Sequence, residues 1–94
     1  MILSYRDKRS RAFALGERVR MFSGFEPQGW KRLEILDAAP NLATLNALPS
    51  NRLEALKGDR AGQFSIRINQ QWRICFEWPA GAPGPSRVEI TDHH

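Results

Sequence analysis

The chain is poor in the residues that staple or metallate small proteins. It has one cysteine, Cys75, so an internal disulfide is excluded, as is any zinc cluster built on cysteines. That argues against a disulfide-stapled secreted fold and makes the cytosol the expected compartment. It has two histidines, His93 and His94, adjacent and at the end, with no HExxH pattern, so no metal or cofactor site is expected. No apolar run approaches the roughly 18 residues that a membrane helix needs. The first residues, Met1-Ile-Leu-Ser-Tyr-Arg6, lack the apolar stretch of a signal peptide, so none is expected. There is no Walker loop, no GxGxxG and no internal repeat.

What remains is an ordinary soluble composition: 94 residues, 41% hydrophobic and 26% charged. That length fits one domain, residues 1–94, with one modest core and two layers. The balance is basic, with 14 Lys+Arg against 10 Asp+Glu, and most of the cations are arginine. Guanidinium forks match phosphate, so the bias favours a nucleic acid or another polyanion. The charge is uneven. Residues 1–35 hold eight basic and four acidic side chains, residues 51–76 five and two, and residues 77–94 one and three.

Periodicity divides the chain into helices, then strands. Ala12, Phe13, Leu15, Val19 and Phe22 recur at helical spacing, predicting a basic amphipathic helix over 10–22, with Gly16 as a weak point and Ser23-Gly24 as its end. Glu26-Pro27-Gln28 opens a second helix carrying Trp30, Leu33, Leu36 and Ala39, which Pro40 stops. Asn41 can cap a short turn bearing Leu42, Leu45 and Leu48. Phe64, Ile66 and Ile68 alternate with polar residues, as do Trp72, Ile74, Phe76 and Trp78, predicting a β-hairpin. Arg87–Thr91 forms a third strand with Val88 and Ile90 inward, and Ile2-Leu3 a short N-terminal one. The expected class is α+β: two N-terminal helices packed on one face of a mainly antiparallel sheet. Ser65, Arg67, Arg73, Cys75 and Glu77 fall on the other, more open and basic face.

Three features of this arrangement bear on chemistry, each with a plain alternative. Lys57-Gly58-Asp59-Arg60-Ala61-Gly62 could cradle a phosphate, or could be a turn before a strand. Arg67 and Arg73, brought together by the hairpin, need a compensating anion: Glu77, or an RNA phosphate. Asp92-His93-His94 could supply an acid or base for RNA cleavage, or could be a frayed end or a tag remnant.

The segments Asn51–Arg60, Gly62–Asn69, Gln71–Phe76 and Val88–His94 resemble the HigB-type toxins of the RelE superfamily, and the likeness extends over essentially the whole chain. It implies a compact RelE-like fold and a type II toxin–antitoxin module. It also implies a metal-independent, ribosome-dependent endoribonuclease that cuts mRNA in the A site and inhibits translation. The implied partners are a HigA-type helix-turn-helix antitoxin, the 70S ribosome and mRNA, with operator DNA bound only through the antitoxin complex. No membrane is implied. Residue by residue, Lys57 and Arg60 resemble the family's phosphate-facing cations, joined by Arg67 as an RNA contact. Arg73, Asp92, His93 and His94 resemble its catalytic set, with His94 as acid or base, Asp92 orienting it and His93 standing where the family usually has tyrosine. Some members carry a histidine where this chain has Glu54, which could act as a base if burial raises its pKa, or could pair with Arg52 or Lys57, the favoured expectation. Two other readings stay open: a weakened toxin that binds ribosome or antitoxin, and an RNA-binding module without enzymatic activity.

Overall fold

The computed structural model describes residues 1–92. It is α+β, with helices preceding a four-stranded antiparallel sheet in the order β1-β2-β3-β4. The elements are α1 (Lys8–Ala14), a 3-10 segment (Arg20–Phe25), α2 (Glu26–Ala38), α3 (Leu42–Asn46), β1 (Glu54–Ala55), β2 (Gln63–Arg67), β3 (Trp72–Glu77) and β4 (Ser86–Asp92).

The first helix is shorter than the periodicity predicts and starts earlier. Asp7 caps it, its Oδ1 accepting the Ser10 N–H at 2.7 Å. Gly16, at φ +88°, ends it instead of merely weakening it. The Gly16 N–H meets Phe13 O and the Glu17 N–H meets Ala12 O, each at 3.0 Å. This pair of bonds is the Schellman stop, which favours a residue with positive φ after the helix. The apolar periodicity continues to Phe22 because the 3-10 segment buries Phe22 and Phe25 in its turn. The second helix begins and ends as expected. Asn41 caps α3, its side chain accepting the Thr44 N–H at 2.9 Å.

The hairpin register pairs Phe64 with Phe76, Ile66 with Ile74 and Arg67 with Arg73. The alternation therefore divides the two faces as the sequence implies. Ile66, Ile74 and Phe76 share one buried cluster with Phe13, Leu33, Leu36 and Leu45 from the helical half. Trp72 of β3 lies against the rings of Phe22 and Phe25, with centroids 5.6 and 5.1 Å away. β1 was not expected: Glu54 pairs with Ser65 and Ala55 with Phe64, adding a fourth strand.

The N-terminal segment does pair, from Leu3 onward: the Leu3 N–H donates to Pro85 O at 2.8 Å. Tyr5 bridges Val88 in parallel, Val88 N–H donates to Ser4 O at 3.1 Å, and Arg6 N–H donates to Val88 O at 3.0 Å. At the middle of β4, the buried Ser10 hydroxyl accepts the Ile90 N–H at 2.9 Å, tying α1 to the sheet.

Candidate RNA-binding face

The outward face of the sheet is organised by register. Glu54 opposes Ser65, Ser65 opposes Cys75, and Cys75 opposes Glu89, so one row crosses all four strands. Residues directly opposite one another on adjacent strands share a face. The row therefore has small, buried residues at its centre and a carboxylate at each end. Arginines fill the space around it.

Arg73 is held at one end. Its Nη1 donates to Glu54 Oε1 at 2.6 Å and to Ser65 Oγ at 3.1 Å. Its side chain is only 14% exposed, against 52% for Glu54. Glu54 therefore pairs with Arg73, not with Arg52 or Lys57 as expected. The reason is β1: strand pairing turns Glu54 onto the sheet face beside β3. Glu77 does not serve the arginine pair either. It lies 3.5 Å from Arg87. Arg67, directly opposite Arg73, donates its Nε to Asn69 O at 3.1 Å within the hairpin turn.

Arg60 is held at the other end. Its Nη1 donates to Gln63 Oε1 at 2.9 Å and to Glu89 Oε1 at 3.0 Å. Arg6 approaches the same Glu89 oxygen at 3.7 Å. The connection between β1 and β2 is a turn, closed by Leu56 N–H to Gln63 O at 2.9 Å, with Gly58 and Gly62 at φ +66° and +92°. It exposes Lys57 and folds Arg60 back onto the sheet. Lys57, Arg60, Arg67 and Arg73 are thus carried by the outward face or its bordering turn. Cys75 lies beneath them, and burial pushes its thiol pKa up, more than nearby Arg60 lowers it; Glu89 also raises it.

Asp92 sits elsewhere. The register pairs it with Trp72, on the helix-facing side, whereas Arg73 pairs with Thr91 on the outward side. Its Oδ2 accepts from Gln71 Nε2 at 3.1 Å. Arg73 and Asp92 are therefore at the same end of the sheet but turned to opposite faces. His93 and His94 lie outside the described residues. Among the described residues, no group of three His, Cys, Asp or Glu side chains could hold a metal ion. None of their helices is long and apolar enough to cross a membrane.

Comparison with known proteins decides the family. The family model for the RelE-like toxin HigB of type II toxin–antitoxin systems matches residues 3–88. The chain belongs to the HigB-like toxin family. It is 40% identical over 83 residues to "Toxin HigB-1" of Vibrio cholerae, covering 86% of this chain and 87% of that one. It is also 40% identical over 50 residues to "Endoribonuclease HigB" of Proteus vulgaris, about half of each chain (53% and 53%). A YoeB/ParE toxin structure from Agrobacterium tumefaciens has the same fold, with a TM-score of 0.59 at 14% identity, covering 99% of this chain and 98% of that one. For a HigB-like toxin, the arginine-rich face is the natural candidate for RNA.

Two of its residues were missed by sequence reasoning. Glu89 had a signal, since it alternates with inward Val88 and Ile90. Arg6 had none, because only the parallel bridge to β4 brings it to the sheet.

Proposed function

We propose that this HigB-like protein is the toxin of a type II module and a ribosome-dependent endoribonuclease that cuts mRNA in the A site. The observation that supports it most directly is the outward face, where Arg6, Arg60, Arg67 and Arg73 surround a row bearing only Glu54 and Glu89 as carboxylates. RNA cleavage by the 2′-hydroxyl needs a base for that hydroxyl, an acid for the leaving 5′-oxygen and cations for the charge on the phosphorus oxygens. Arg73, with Lys57 and Arg60, is assigned the cationic role, which requires no metal ion. Arg67 contacts the strand nearby. His94 acts as acid or base, with Asp92 orienting it and His93 contacting a base. The protein works in the cytoplasm, and a HigA-type antitoxin with a helix-turn-helix neutralises it. The pair binds operator DNA as a complex.

An isolated sheet face of this kind is incomplete, which is the reason to assign a requirement for the ribosome. The test compares cleavage of one mRNA on programmed 70S ribosomes and free in solution. Cleavage only on ribosomes is expected, and His94→Ala should abolish it with the unfolding midpoint unchanged. Cleavage in both arms would make the protein a free ribonuclease. A second reading follows from the Glu54–Arg73 ion pair, which neutralises the central guanidinium: a weakened toxin that binds ribosomes without cutting. Ribosome binding with no cleavage in either arm would favour it.

A further inference from the structure

The far end of the row carries an imbalance of charge, and one of its cations, Arg6, has no role in the proposed scheme. At Arg73 one guanidinium meets one carboxylate. At Glu89 two guanidiniums, Arg60 at 3.0 Å and Arg6 at 3.7 Å, share a single oxygen, Oε1. Glu89 can neutralise only one of them. Two like charges held this close leave an uncompensated unit of positive charge, and they are unfavourable unless a further anion joins. The cluster is built rather than incidental. The Glu89 side chain is 18% exposed, while Arg60 and Arg6 are 34% and 41% exposed. The carboxylate forms the floor and the guanidiniums face outward. Gln63 gives Arg60 a second acceptor. Arg6 is fixed at its backbone by donation to Val88 O, and Ser4 O, two residues earlier, accepts the Val88 N–H along the same edge of β4.

Its position fits a strand of RNA. The Arg73 guanidinium is held at Glu54 of β1, and the Arg6–Arg60 pair at Glu89 of β4, three strand spacings along the row. Neighbouring strands are about 4.8 Å apart, so a chain crossing the sheet spans roughly 14 Å between the two ends and can place a phosphate at each. Arginine forks bind phosphate oxygens in pairs, and both heads retain donors beyond the Nη1 atoms already engaged.

We propose that Arg6 joins Arg60, across their shared carboxylate Glu89, in a second phosphate-binding subsite for single-stranded substrate RNA, at the opposite end of the row from Arg73, which extends the cationic role of Arg60 to a phosphate flanking the scissile one. The proposal rests on reading this face as the RNA site and makes Arg6 a substrate-binding residue. The occupant is a phosphodiester of the strand being recognised. Ribosomal RNA could offer the same group, so the test has two arms.

Binding of a short single-stranded oligoribonucleotide and of 70S ribosomes without mRNA is measured across a salt series, for the wild type, Arg6→Ala and Arg6→Lys. Thermal unfolding checks that all three are folded. One phosphate contact to single-stranded nucleic acid contributes about 0.7 to the slope of log affinity against log salt. Arg6→Ala should lower that slope by about this amount for the oligonucleotide and weaken binding several-fold at low salt. Arg6→Lys should keep the slope, since it keeps the charge. Binding to empty ribosomes should change little. An unchanged slope in Arg6→Ala overturns the subsite. A change confined to empty ribosomes overturns the substrate assignment, because the phosphate would then be ribosomal. Binding is read separately from cleavage. If the wild type cuts nothing but shows the Arg6-dependent slope, the endoribonuclease reading fails and the subsite stands.

Discussion

Cys75 shows how one residue type changes meaning with its place in the sheet. In sequence it is a small residue in a strand. In the structure it is buried between Ser65 and Glu89, under the arginines of the outward face. Burial disfavours the thiolate more strongly than the guanidiniums favour it, so its pKa is raised above the ordinary 9.0. The consequence for stability has a definite sign. Below the ordinary value the thiol is protonated in both folded and unfolded chains, and its contribution is fully present. As pH rises past 9, the unfolded chain loses that proton first, so stability falls until the folded thiol also ionises. Urea unfolding between pH 8 and 10 should show this loss, and Cys75→Ala should reduce the alkaline slope. An identical slope in the variant would mean that other groups carry it. The same scale marks what could be read in advance. The pairing of Arg67 with Arg73 was legible because two alternating strands fix which residues share a face. The partner of Arg73 was not, because two-residue β1 has no periodicity to read.

The helical elements divide the same way. Glu26-Pro27 and Pro40 mark the ends of α2 by their own backbone chemistry, and Asn41 caps α3 by its side chain. These signals are local, so sequence alone located them. The end of α1 was misread because Gly16 can be either a tolerated weak point or a stop. Its hydrogen-bonded surroundings decide, and they depend on the fold. Gly29 in α2 is a sharper case. Local propensity favours replacing it, since alanine is better than glycine in a helix by about 1 kcal/mol. Packing opposes this. A Cβ at Gly29 would lie 2.8 Å from Cε2 and Cζ of Phe13 and 3.1 Å from Phe25 Cδ1. Phe13 cannot withdraw easily, being fully buried and stacked on Trp30 at a centroid distance of 5.3 Å. Overpacking of this kind costs about 1–3 kcal/mol. Gly29→Ala should therefore be neutral to destabilising by up to about 2 kcal/mol despite its better propensity. A gain in the denaturant midpoint would show that the ring cluster can shift freely.

At the scale of the molecule, folding gathers charge that the sequence scatters. Arg6, Arg60, Arg67 and Arg73 come from the N-terminal segment, a turn and both strands of the hairpin, yet they surround one row with a carboxylate at each end, while Glu77 on the same face pairs with Arg87. The unfolded chain has no such concentration. An anion that binds this face therefore binds the native state preferentially and must stabilise it by mass action. Inorganic phosphate should raise the unfolding temperature of the wild type. Phosphate also stabilises proteins generally, by exclusion from their surface, so the rise alone does not identify a site. The informative quantity is the difference from Arg73→Gln, which keeps a donor for Glu54 and Ser65 but removes the charge. General exclusion acts equally on both proteins, whereas site binding is weakened in the variant. The increment should be larger in the wild type and should approach a plateau with phosphate concentration, because a site saturates and exclusion does not. Equal, linear increments in the two proteins would leave Arg73 without an anion-binding role, and the sheet face would be basic without being a phosphate site.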